Sequence, residues 1–236
     1  MINHQNGGTM KYLLFLFFLF SVTVNAQLTK NQLIDEIVDI ANQNMNRLDN
    51  FKEVRRELDP LVNELQKYQD LSAEESLERK IGSWKQLWTD DADDLRANNF
   101  FQTVDRDQTY QIVFEGGVFY NLTVIRTPFG RLSGFLRGVY SSDSIDQKTL
   151  NLEFTKLSLR RRGLSRDGGE LSTLTQDLED GVIGSFGLPF GTDRFPRGPV
   201  GAKGTIRTIY IDNFLRIDIG QNKADGVEDL FVLIKN

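Results

Sequence analysis

Any chemistry this chain performs has to be done almost without histidine and entirely without cysteine. Its 236 residues hold one His and no Cys. The single histidine, His4, sits ahead of a leader-like segment. That excludes a Ser-His-Asp triad, a Cys-His pair and a zinc site of the usual ligands in the mature chain. Carboxylate and lysine chemistry survive. The densest acidic run, Asp90-Asp91-Ala92-Asp93-Asp94, offers oxygens to a hard cation, but it lacks the D-x-D-x-D-G spacing and the glutamate that should follow. A solvated turn explains it better, so no metal site is assigned. Asp212, Asp225, Glu228 and Asp229 could form a second carboxylate cluster, and two suitably spaced carboxylates can hydrolyse a glycoside. Sequence positions give no such spacing. A carboxylate-dependent hydrolase is therefore the least favoured of three readings, with no catalytic residue and no cofactor assigned, and the expectation is a protein that is not an enzyme.

Two further groups invite a binding role. Lys156, Arg160, Arg161, Arg162 and Arg166 form a basic patch that could steer an anionic head group, although a solvated strand end is the simpler explanation. Both tryptophans, Trp84 and Trp88, fall in IGSWKQLWTDD (81–91), four positions apart. In a strand, that spacing puts them on one face.

The elements that must position these residues change character along the chain. Thr29-Lys30-Asn31-Gln32 has the form of a capping box. Behind it, Leu33, Ile34, Ile37, Val38, Ala41, Met45 and Leu48 recur at helical intervals. A second helix begins near Asn50, and Asp59-Pro60 reads as a restart. The helical unit ends near Asp70. From Ile81 the hydrophobic period becomes two. Ile81–Thr89, Tyr110–Glu115, Val118–Arg126, Arg131–Tyr140, Leu150–Leu159, Thr205–Asp212, Phe214–Ile219 and Leu230–Ile234 make eight strands. Gly116-Gly117 is a two-residue hairpin turn, and the alternation slips near Thr155 as in a β-bulge. Sequential antiparallel strands in this number favour an up-and-down barrel. One long loop, 163–203, contains a short helix at Leu171–Glu179 and reads as a lid over one end.

Composition bounds the rest. Net charge is −5 at pH 7, which offers no global attraction to nucleic acid or an anionic membrane. From Met10, the expected start, Lys11 precedes an apolar run ending in Val24-Asn25-Ala26. This is the layout of a signal peptide over 1–26, too short to span a bilayer. It implies export to the periplasm or outside the cell, where a chain lacking cysteine must rely on a packed core. A helical extension over 27–80 and a barrel over 81–236 follow, with peripheral membrane contact left open by the amphipathic helices.

Three stretches resemble the plastid lipid-associated (PAP/fibrillin) proteins in their bacterial form. NFKEVRRELDPLVNEL (50–65) with IGSWKQLWTDD (81–91) is similar to the family's N-terminal helix and opening G-x-W strand. YQIVFEGGVFYNLTV (110–124) with GRLSGFLRGVY (130–140) is similar to its central strands. KGTIRTIYIDNFLRIDIGQNKADGVEDLFVLIK (203–235) is similar to its C-terminal motif. The resemblance implies a mainly β protein with N-terminal helices (α+β), a lipocalin-like eight-stranded antiparallel β-barrel. It also implies binding of hydrophobic molecules or lipid surfaces, with no catalytic constellation. The leading expectation is thus a carrier of a small hydrophobic ligand or lipid. Trp88, Tyr110, Phe119, Tyr140, Phe154 and Tyr210 are candidate cavity-lining residues. Gly82 and Trp84, braced by Arg207 or Arg216, form the barrel floor. The alternative is a structural or interaction module whose barrel is filled by its own side chains.

Overall fold

The computed structural model describes residues 28–46, 49–91, 103–128, 130–143, 146, 148–160, 169–179, 200–224 and 226–236. The expected leader, Leu48, Asp93, Asp94, Arg161, Arg162, Arg166 and Asp225 lie outside them, as does most of the loop 163–203.

Caps and apolar stripes make the N-terminal helices. The Gln32 amide donates to Thr29 Oγ1, and the Thr29 amide donates to Gln32 Oε1 at 2.9 Å, a reciprocal box that opens α1 (Lys30–Asn44). Helix α1 buries Leu33, Ile34, Ile37 and Ala41. Helix α2 (Phe51–Leu65) buries Val54, Leu58, Val62 and Leu65, and it runs through Pro60 without the restart expected there. The stripe stays in phase across the proline, so packing outweighs a backbone preference of about 3 kcal/mol against it. Asp59, rather than capping, pairs with Arg55 at 2.6 Å. A further helix, α3 (Ala73–Lys80), lies beyond the expected end near Asp70. Its Ser72–Glu75 capping box was visible in the sequence as S-x-x-E.

Eight antiparallel strands follow: β1 (Gly82–Thr89), β2 (Thr103–Phe114), β3 (Val118–Thr127), β4 (Gly130–Ser142), β5 (Thr149–Arg160), β6 (Lys203–Ile211), β7 (Leu215–Asn222) and β8 (Glu228–Lys235). They close into a barrel in sequence order, β1 pairing with both β2 and β8. Gly116 and Gly117 adopt φ of +79° and +84° in the β2–β3 turn, a conformation glycine enters without steric cost. The anticipated bulge is present, since Arg137 pairs with Lys156 and Gly138 with Phe154, leaving Thr155 extra. The register also shifts at Leu87 in β1, at Ile209 in β6 and over Arg106–Gln108 in β2, none of which the alternation announces.

Helices α1 and α2 cover the outside of β1 and β6–β8. Their stripes form one core with Leu87, Trp88, Tyr210, Leu215, Ile217 and Val232. Following the pairing around the barrel, the opposite, inward face carries Trp84, Gln111, Phe119, Arg216 and Leu233. Helix α4 (Gly169–Glu179), the helix expected inside the long loop, packs Leu171, Leu174 and Leu178 on Ile112, Leu122, Val124 and Phe135. Those strand residues face outward, so α4 clads the wall rather than covering an end.

Candidate functional site

Strand direction fixes the two ends of the barrel. The start of β1, the turns after β2, β4 and β6, and the end of β8 share one end. The connections 92–102 and 161–202 leave from the other, which we call the mouth. At the first end Trp84 is wholly buried, in a cluster with Ile211, Leu233, Leu71 and Phe231. Its Nε1 donates to the Lys80 carbonyl at 2.7 Å, tying it to the last turn of α3. Gln69 Oε1 accepts from the Ile211 amide, and Arg79 Nη1 donates to Asn213 Oδ1, so the segment leading into β1 crosses the barrel end and seals it. Gly82 makes the sharp approach with φ +113°, and a Cβ there would lie 2.9 Å from the Lys235 ammonium.

Two cations lie over the Trp84 ring: Arg216 at 5.2 Å and Lys235 at 4.4 Å from its centroid. Each is a favourable cation–π geometry. The Lys235 ammonium also donates to the Ile81 carbonyl at 2.5 Å. Arg216 and Asp218 are 1% and 0% exposed. Arg216 Nε lies 2.8 Å from Asp218 Oδ2 at ion-pair distance, yet the two lack hydrogen-bond alignment. Thr208 Oγ1 donates to Asp218 Oδ1 at 2.7 Å. Arg216 Nη2 donates to Gln111 Oε1, and Gln111 Nε2 to Asn121 Oδ1 at 3.2 Å. Burial pushes the Lys80 ammonium down to about 8, with Asp218 opposing and Arg216 reinforcing the shift.

The expected site residues divide by face. Phe119, Tyr140 and Phe154 point into the barrel. The Phe119 ring lies against Gly138, where any Cβ would collide with it, and meets Phe154 edge-on at 5.6 Å. Tyr140 donates from its hydroxyl to the Phe114 carbonyl at 2.8 Å. Trp88 points outward, under the helices, because Leu87 is inserted between Gln86 and Trp88 and reverses the phase. Trp84 and Trp88 therefore occupy opposite faces, contrary to their even spacing. Tyr210 is turned outward by the bulge at Ile209 and donates to Asp212 Oδ2 at 2.6 Å. Tyr110 also faces outward, beside the α4 cluster. Alternation could not separate inside from outside there, because α4 makes the outer face apolar while Gln111 and Asn121 make the inner one polar. Of the two arginines, Arg216 braces Trp84; Arg207 pairs with Ile219 and Thr149 on the outer face and does not.

The remaining groups have structural duties. Asp212 and Glu228–Asp229 lie at opposite ends of β7, roughly 25 Å apart at strand rise, too far to share a substrate bond. Burial opposes ionisation of Asp212, but bonds from Tyr210 and the Leu215 and Phe214 amides outweigh it and hold its carboxyl below the usual range. Asp90 accepts from the Leu230 amide at 2.6 Å and from Arg55 Nη1 at 2.8 Å, joining β1, β8 and α2. Among the described residues no cluster of three or more metal-ligating side chains occurs. Lys156 and Arg137 line a half-open outer groove of about 340 Å³ beside Leu178 of α4. The Arg160 side chain is outside the description.

Comparison with known proteins gives two likenesses. The PAP_fibrillin family model matches residues 27–234. No curated protein matches the sequence. Among solved structures, "Structure of a redesigned beta barrel, mFAP1, bound to DFHBI" is similar over 68% of this chain and 98% of its own, at 10% identity and a TM-score of 0.24. That likeness is too distant to carry any argument about a ligand.

Proposed function

The chain belongs to the PAP/fibrillin family, and on that premise we propose that it binds a small hydrophobic molecule or lipid inside its β-barrel. A lipid-associated family and a closed barrel are both consistent with this role. The observation that carries it is the state of the inner wall. Asn121, Thr123 and Leu136 face inward at mid-strand, yet all three remain only half-buried, whereas the floor around Trp84 is closed. A barrel filled by its own side chains would bury those positions as fully as Trp84. Binding would draw on burial of apolar ligand surface at roughly 25 cal/mol per Å², with a few inward polar groups fixing orientation. The two carboxylate groups at opposite ends of β7 give a hydrolase nothing to work with, and the family is generally non-enzymatic. The leader-like segment supports a place outside the cytoplasm, in the periplasm or beyond the cell.

Native mass spectrometry of the purified protein with methyl palmitate, a neutral long-chain ester, tests the proposal. We expect a one-to-one complex that disappears in Leu136→Trp, which fills the mid-barrel. No complex, or a complex indifferent to that substitution, would overturn interior binding.

A further inference from the structure

Strands β3, β4 and β5 carry five cations, Arg126, Arg131, Arg137, Lys156 and Arg160, against a single carboxylate, Glu153. Glu153 pairs with Lys203 at 3.2 Å, and Arg126 and Arg131 share Asp105 of β2. Arg137 and Lys156 are left without an ion pair among the described residues. They are also register partners, directly opposite each other on β4 and β5. Like charges so placed repel. Both point to the outer face, where they line the groove of about 340 Å³ beside α4.

The groove is built around that pair. The bulge inserts Thr155 beside Lys156. The Thr155 hydroxyl accepts from Arg137 Nη1 at 2.8 Å and donates to the Arg137 carbonyl at 3.3 Å. Bulges commonly re-aim a side chain, and here the guanidinium is held across the strands. Tyr120 stands on its other side, as its register partner on β3. One row further along, Phe135 pairs with Ser158 and packs in one cluster with Leu178 of α4. Phe135 is 1% exposed and Leu178 6%. The groove therefore runs from a two-cation row to an apolar row, with no carboxylate in its lining. Its volume falls within the range of small-molecule sites, roughly 300–1,000 Å³.

We propose that this outer groove is a second ligand site, which takes the monophosphate of an apolar alcohol. The phosphate bridges Arg137 and Lys156, and the chain lies along Tyr120 and Phe135 beneath Leu178. A phosphate monoester carries about −1.5 to −2 charges at pH 7, which matches two cations, and the planar guanidinium suits its oxygens. A carboxylate would neutralise only one of them. The inference stands apart from interior binding, because the groove lies on the outside of the wall.

Isothermal titration calorimetry of the full chain with octyl phosphate, octanol and inorganic phosphate tests it. Octyl phosphate should bind about ten-fold or more tightly than either half alone. Arg137→Gln and Lys156→Gln should each weaken it by about five-fold. Leu136→Trp, which fills the interior, should leave it unchanged. Lys156→Glu guards against a folding artefact, since it places opposite charges across the strands. Its stability should hold or rise while octyl phosphate binding is lost. Octyl phosphate no tighter than octanol would overturn the proposal, as would an affinity indifferent to all three groove substitutions. Loss of binding in Leu136→Trp alone would put the amphiphile inside the barrel, overturning this site while supporting the interior reading.

Discussion

At the scale of single residues, the two tryptophans divide their duties by face. Trp84 seals the floor, with its indole N–H bonded to the Lys80 carbonyl and two cations over its ring. Trp88 lies 3% exposed beneath α1 and α2. Trp84→Ala and Trp88→Ala should each cost about 3–5 kcal/mol, measured by urea unfolding. Only the first should also weaken ligand binding, because only Trp84 borders the interior. An even spacing implies a shared face and so places Trp88 with Trp84; a single inserted residue, Leu87, undoes that inference and leaves no compositional trace. Gly138 is a second residue whose type is set by a neighbour. The Phe119 ring occupies the space a Cβ would need. Gly138→Ala should therefore destabilise by about 1–3 kcal/mol, and Phe119→Ala combined with it should cost less than the two changes summed. A double-mutant cycle in urea measures the coupling.

At the scale of elements, helix α2 carries a proline that its packing tolerates. Pro60→Ala should raise stability by up to ~3 kcal/mol, seen as a higher melting temperature with unchanged circular dichroism. If α2 were instead two helices broken at Asp59, the same change would gain little. Asp90 joins three elements through two charge-assisted bonds. Asp90→Ala should cost about 1–3 kcal/mol and speed amide exchange at Leu230, whose N–H loses its acceptor. Elements were the most legible part of the sequence. The Thr29 box, the Gly116-Gly117 turn, the slip at Thr155 and the short helix near Leu171 all announce themselves by local chemistry. The restart expected at Pro60 is absent and α3 goes unannounced, for opposite reasons. Tertiary packing overrode a strong local signal in one, and a short, highly charged helix offered little periodicity in the other.

At the scale of the whole molecule, the closed barrel followed from eight short alternating segments and the family likeness, whereas the inside and outside of β2–β4 did not. That wall is clad by α4, so both of its faces carry apolar residues and period two loses its meaning. The buried cations also give the whole fold a pH dependence. Lys80 is 4% exposed with its ammonium pushed down to about 8, against an ordinary value of 10.5. Between those values the unfolded chain binds the extra proton, so stability rises with pH. Tyr210 acts in the opposite sense above about pH 10, since burial and Asp212 keep its hydroxyl protonated in the fold. Lys80→Met should be more stable than wild type at pH 7.5, with the difference shrinking toward pH 10. Urea unfolding at the two pH values checks the sign.

The central claim is a hollow barrel, floored by Trp84, that takes an apolar ligand within. Fluorine NMR of the full protein labelled with 5-fluorotryptophan tests it most directly, because one resonance reports each face and Trp88→Phe assigns them. Titration with palmitic acid should move the Trp84 resonance saturably at one equivalent and leave that of Trp88 nearly still. A saturable shift confined to Trp88, or none at either ring, would contradict the account.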